Sequence, residues 1–97
     1  MPSSRKLLVA YDIADQKRLR KVAYILEGYG YRIQYSVFIC HLPKQDIEKL
    51  KNALFKAINH TADQCLLIDL GPAHPSENLP FETIGRPLVT IPTLTIV

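Results

Sequence analysis

A single carboxylate, Asp12, closes the apolar run Leu7-Leu8-Val9-Ala10-Tyr11, and four cations follow within five positions: Lys17, Arg18, Arg20 and Lys21. An ionised Asp is seldom buried without a partner, so at the end of an apolar strand it is either solvated at the sheet rim or held by a cation or hydrogen bonds. Magnesium takes oxygen ligands, keeps several waters and often needs only one or two carboxylates. One Asp is a poor site alone. If two copies met about a two-fold axis, two Asp12 side chains could share one metal, activating a water and neutralising a phosphodiester. The plainer arrangement has Asp12 opening a loop as an Asx turn, with Asp15 capping the helix that follows. Residue types alone favour the loop and do not exclude the metal.

The cations carry the second signal. In the first turns of a helix, positive side chains oppose the macrodipole, so local stability does not explain four of them there. A phosphate backbone would explain them, and so would a solvated face, the usual fate of a charge run. Arg32, beside Tyr31 and near Tyr29, would extend a basic and aromatic surface, although tyrosines at strand entries more often belong to the core. The chain carries twelve Lys and Arg against nine Asp and Glu, a net charge of +3. That excess suits a polyanionic partner without requiring one.

Other chemistries find little support. His41, His60 and His74 are scattered and lack metal-ligand spacing. Ser36 lies in an apolar extended stretch without the glycine-flanked elbow of a hydrolase nucleophile. No phosphate-loop glycine motif is present. The basic-Gly-aromatic signature of an RNA-recognition module is missing from Ser36-Val37-Phe38-Ile39-Cys40. Cys40 and Cys65 stand 25 residues apart in apolar surroundings, which suggests two buried thiols rather than half of a zinc site.

The elements that must position these residues follow from periodicity. Leu7 to Asp12 forms a strand. Asp15 is a good N-cap, Leu19, Val22, Ala23 and Leu26 make one apolar stripe, and Gly28 and Gly30 stop the helix, which spans about residues 15–28. Tyr31 to Leu42 is extended but too long for one ordinary strand, so it bends or divides near Gln34 to Ser36. In its second half Val37, Ile39 and His41 share one face and Phe38, Cys40 and Leu42 the other, a strand covered on both sides. Pro43 suits the first turn of a second helix carrying Ile47, Leu50 and Leu54 and ending near Asn59. Gln64 to Leu70 is a strand that Gly71-Pro72 should break. Residues 71–87 form an irregular connection holding at most a short strand, Phe81 to Ile84. Leu88 to Val97, interrupted by Pro92, suits an edge strand that could pair with another subunit's sheet.

Ninety-seven residues, 47% of them apolar and 22% charged, suit one domain over residues 1–97 with a modest core, a size that often gains stability by associating. Met1 to Lys6 is polar and the apolar run stops at Asp12, so neither a leader nor a membrane segment is expected and the chain suits the cytoplasm. The pattern is α+β, helices on one face of a largely antiparallel sheet. If the extended stretch divides, the order becomes the ferredoxin-like β-α-β-β-α-β.

Tyr11-Asp12-Ile13-Ala14-Asp15, the basic run Lys17-Arg18-Leu19-Arg20-Lys21-Val22, and Leu26 to Phe38 with its Gly-x-Arg-x-Gln-x-Ser-Val-Phe spacing closely resemble the small CRISPR-associated adaptation protein family, the second of the two nearly universal CRISPR-associated families. The likeness is strong over residues 7–42. Beyond them it rests on length, strand order and the Ile84-Gly85-Arg86-Pro87 turn.

The resemblance implies a ferredoxin-like fold with an added C-terminal strand, residues 88–97, packed on the partner in a two-fold homodimer. It implies that Asp12 is the metal-binding and catalytic acid, one from each subunit, with magnesium as cofactor. It implies that Arg18, Arg20 and Arg32 shape a nucleic-acid surface, with Tyr11, Ser36 and Phe38 in support; Lys17 and Lys21 join that surface as candidates from the cationic run itself. Many relatives carry an acid after the Phe, where this chain has Ile39, so one nearby negative charge is lost while Asp12 is kept. The implied activity is magnesium-dependent cleavage of single-stranded RNA or duplex DNA in spacer acquisition. The alternative is a non-catalytic scaffold dimer that holds DNA and bridges subunits of the CRISPR integrase. A ferredoxin-like regulatory dimer that binds a small ligand is a third reading, because fold alone does not dictate function.

Overall fold

A computed structural model of the chain describes residues 4–73 and 82–87. It contains β1 (Ser4–Asp12), α1 (Gln16–Glu27), β2 (Gly30–Gln34), β3 (Val37–Pro43), α2 (Lys44–Ala57) and β4 (Gln64–Pro72). The four strands form one sheet in the order β2-β3-β1-β4, every neighbouring pair antiparallel. The β-α-β-β-α-β order is therefore present. The added strand expected at residues 88–97 lies outside the described residues. No described helix is long and apolar enough to cross a membrane.

Both helices cover the same face. Leu7, Val9 and Tyr11 of β1 and Phe38, Cys40 and Leu42 of β3 meet Val22 and Leu26 of α1 and Leu50 and Leu54 of α2 in one core. The period of two in the strands and the 3.6-residue period in the helices account for this selection. The Asp15 carboxylate accepts the Arg18 backbone N–H at 3.0 Å, so α1 starts where its cap requires.

The extended stretch divides at Tyr35–Ser36, between β2 and β3. Close approach at Gly30 holds β2 against β3: a Cβ there would collide with the Ile39 carbonyl oxygen and lie 2.6 Å from Cys40 Sγ. Only glycine fits without displacing the ladder.

Among the described residues, no helix covers the opposite face of the sheet. There Leu66, Ile68 and Leu70 of β4 are 50%, 41% and 38% exposed, and Leu8 and Ala10 of β1 stand across from Ile68 and Leu66. Ile39 is fully buried on this face, whereas His41 is exposed, so β3 is covered on both sides only in part.

Three expectations need correction. Gly71-Pro72 does not end β4, which continues to Pro72 opposite Arg5; Gly71 takes φ +102° where the register shifts. An edge strand tolerates proline because its outward side needs no donor. Pro43 is the last residue of β3 and the N-cap of α2 rather than part of its first turn. Cys65 is half-buried, unlike the fully buried Cys40, because the edge strand leaves it uncovered on one side. The connection, expected to hold at most a short strand, has none at Glu82 to Ile84, and Phe81 lies outside the described residues.

Candidate functional site

Asp12 ends β1 at the sheet rim, paired in register with Gln64 of β4. Its side chain is exposed, and among the described residues nothing hydrogen-bonds or ion-pairs with its carboxylate. The Asx turn considered for it does not form.

Tyr11 points into the core beneath. It is 7% exposed, its N–H donates to the Ser36 carbonyl at 3.1 Å and its hydroxyl to the Tyr35 carbonyl at 3.3 Å. The β2–β3 turn is thereby tied to the end of β1. Burial raises the Tyr11 pKa, so the hydroxyl stays protonated. Phe38 is fully buried, 6.2 Å from the Tyr11 ring, and the Arg32 guanidinium lies 5.2 Å above the Phe38 ring. Arg32 is half-buried and its Nε has no hydrogen-bond partner. Tyr11, Ser36, Phe38 and Arg32 thus converge at the Asp12 end of the sheet, and Phe38 supports it from inside.

The cations of α1 separate into two groups. Lys17, Arg20 and Lys21 are exposed and, with Tyr24, follow the i, i+3, i+4, i+7 spacing of one helix face. Arg18 belongs to another arrangement. Its Nε donates to Asp63 Oδ2 at 2.6 Å and its Nη2 to Asp63 Oδ1 at 3.1 Å, a bidentate pair.

Asp63 also accepts the Ala14 N–H at 2.9 Å and the Asn59 N–H at 2.8 Å, and its side chain is 0% exposed. The Arg18 guanidinium, helped by these amides, holds the Asp63 carboxyl below the usual carboxylate range despite desolvation. Asp63 precedes the residue paired with Asp12, and sequence reasoning passed over it. Its partner Arg18 is 45 residues away, so no local pattern marked the pair.

Asp12 fits a magnesium ligand in one respect, a free carboxylate at the surface. Among the described residues no three Asp, Glu, His or Cys side chains gather to hold a metal. At this rim one chain offers a single free carboxylate, fewer protein ligands than a closed metal site would need. Asp63 cannot supply the other half, because four donors already occupy its four lone-pair positions.

The family model for CRISPR associated protein Cas2 matches residues 5–75. The chain is 41% identical over 66 residues to the CRISPR-associated endoribonuclease Cas2 of Geobacter sulfurreducens, covering 68% of this chain and 70% of that protein. It is 39% identical over 84 residues to a CRISPR-associated endoribonuclease Cas2 of Rhodospirillum rubrum, covering 87% and 81%. The crystal structure of Streptococcus pyogenes Cas2 superposes with a TM-score of 0.65 at 34% identity, covering 68% of this chain and 86% of that one.

Proposed function

The chain belongs to the CRISPR-associated Cas2 family, and from that premise we propose that it is a homodimeric, magnesium-dependent endonuclease acting on single-stranded RNA or duplex DNA during spacer acquisition. The observation that carries this reading is the Asp12 carboxylate, exposed and unengaged among the described residues, one short loop from a basic helix face. Relatives whose names describe endoribonucleases give the activity its class.

In the proposed dimer each copy contributes one Asp12. Magnesium, when bound between them, supplies Lewis-acid activation of water and neutralises phosphodiester charge. Lys17, Arg20 and Lys21 take the phosphate backbone, and Tyr11, Phe38 and the β2–β3 turn keep the end of β1 rigid. The helix-free sheet face, with Leu66, Ile68 and Leu70 partly exposed, supports dimerisation, because contiguous exposed apolar surface of this kind marks association. Ile39 suits that face, where an acid would be buried. Residues 88–97 would pack on the partner subunit, and the CRISPR integrase would be the protein partner.

The test compares wild type with Asp12→Ala on RNA and duplex DNA, with magnesium and with chelator. Cleavage should need both the metal and Asp12, and the variant should keep the wild-type circular dichroism. Cleavage retained by Asp12→Ala would sink the catalytic reading.

The exposed cationic face of α1 also favours a second reading, a scaffold that holds duplex DNA for the integrase without cutting it. On that reading Arg20→Ala weakens DNA binding while Asp12→Ala leaves it unchanged. Binding insensitive to salt would defeat it.

A further inference from the structure

We infer that Asp63 is a positioning residue for Asp12, clamping the loop that leaves β1 and the first turn of α1 onto the loop before β4. The inference rests on the reading that Asp12 binds the metal.

Asp12 is followed by only three residues before α1 begins. Across those three, the chain is held by two carboxylates. Asp15 caps the helix at the Arg18 N–H, and Asp63 takes the Ala14 N–H and then the Arg18 side chain. Through the Asn59 N–H the same carboxylate also gathers the loop that ends α2. Four donors on one fully buried carboxylate give a rigid junction, and its charge is matched by the guanidinium it holds. The backbone register places this junction beside Asp12, since Gln64, its strand partner, is the next residue.

A metal shared by two copies needs both carboxylates at a defined separation, and each carboxylate stands on a strand end that would otherwise fray. Asp63 is saturated by its donors and excluded from solvent, so its contribution is geometric. Loss of a residue hydrogen-bonded to a metal ligand typically weakens metal binding about 10- to 100-fold; Asp63 acts through the backbone beside Asp12, so the low end of that range is expected.

The test uses the full-length protein and two variants, Asp63→Asn and Arg18→Lys. Asn keeps the size of Asp but cannot accept four N–H donors; Lys keeps the charge but loses the two-pronged geometry. Two readouts are taken: the magnesium concentration giving half-maximal cleavage, and the Mn2+ concentration that half-broadens the Asp12 and Ile13 amide signals of the metal-free protein by NMR. Asp63→Asn should raise both about tenfold, with the rate at saturating magnesium within about threefold of wild type; Arg18→Lys should move both the same way, by less.

A purely structural role would lower the melting temperature and leave both midpoints unchanged. Unchanged midpoints in folded Asp63→Asn overturn the inference. If Asp63→Asn does not fold, unchanged midpoints in Arg18→Lys overturn it instead. Wild type that shows Mn2+ broadening at Asp12 but no cleavage refutes the nuclease reading alone, and the broadening then decides the role of Asp63. Wild type with no broadening at Asp12 removes the metal reading and this inference with it.

Discussion

Replacing Arg20 with Ala should flatten the salt dependence of nucleic-acid binding, and replacing Arg18 with Ala should leave the slope unchanged. The two residues lie two positions apart on α1, but Arg20 is exposed whereas the Arg18 guanidinium is spent on Asp63. In the proposed dimer, Lys17, Arg20 and Lys21 from two copies would make about six phosphate contacts, hence an expected slope of log K against log salt of about −5 on duplex DNA. Raising salt from about 50 to about 200 mM should then weaken wild-type binding by on the order of 1,000-fold. Arg20→Ala removes about two contacts from the dimer, and its slope should be about −3.6, a loss of roughly 150-fold over the same range. Fluorescence anisotropy of a labelled duplex across a salt series measures all three slopes. It should be run well below the melting temperature of Arg18→Ala, which loses the Asp63 pair. If Arg18→Ala flattens the slope as much as Arg20→Ala does, Arg18 leaves Asp63 for phosphate on binding, and the separation of the cations into two groups is wrong.

Three further outcomes follow from the structure. Gly30→Ala should destabilise the fold by about 1–3 kcal/mol or more, the cost of overpacking, because the added methyl collides with the Ile39 carbonyl oxygen; a urea midpoint equal to wild type would refute that close approach. Ile68→Asp places a charge on the helix-free sheet face and should convert the proposed dimer to monomer at micromolar concentration, which sedimentation equilibrium reads directly. Acid should unfold the protein partly through Asp63 and Asp69. The first is held low by Arg18, the second by the Gly71 amide and Arg5, so both stabilise the fold above the ordinary carboxylate pKa near 4 and lose that contribution as pH falls below it. In a series of melting temperatures against pH, Asp63→Asn should therefore show a shallower acid loss than wild type.

What the sequence made legible was local. Asp15, the stripe Leu19, Val22 and Leu26, and Gly28 mark α1 to within a residue at each end, because cap and periodicity act over one to three turns. The polar break at Gln34 to Ser36 marks the turn between β2 and β3 for the same reason. Gly71-Pro72 misled because a proline's meaning depends on which side of the strand is paired, and only the sheet order shows β4 at an edge. Phe38 could be taken for a surface aromatic, yet it is the floor under Arg32 and Tyr11. Arg18 looked like its cationic neighbours, and its different fate depends on a residue in another loop. Asp12 was legible as a type and a place, but the proposed site would need two copies and would leave only half of its pattern in one chain.

The two helices carry their charges under different rules. α2 has Asp46 in its first turn and Lys56 in its last, each favourable to the helix dipole. α1 has no acid in its first turn and no base in its last, and its Lys17 and Arg18 sit where the dipole disfavours them. Each such placement costs about 0.3–1 kcal/mol at the surface, and the negative charge that the helix start lacks comes instead from Asp15 and the distant Asp63. Asp63 neutralises Arg18 and holds the Ala14 amide at the entrance to the helix, a task that a first-turn acid would otherwise share. Because both acids lie outside the helix, the outward positions of its first turns are free to be basic. Lys17, Arg20 and Lys21 can then face a polyanion without an acid of their own helix turn among them, and the strand that ends in Asp12 enters that surface from a fixed direction.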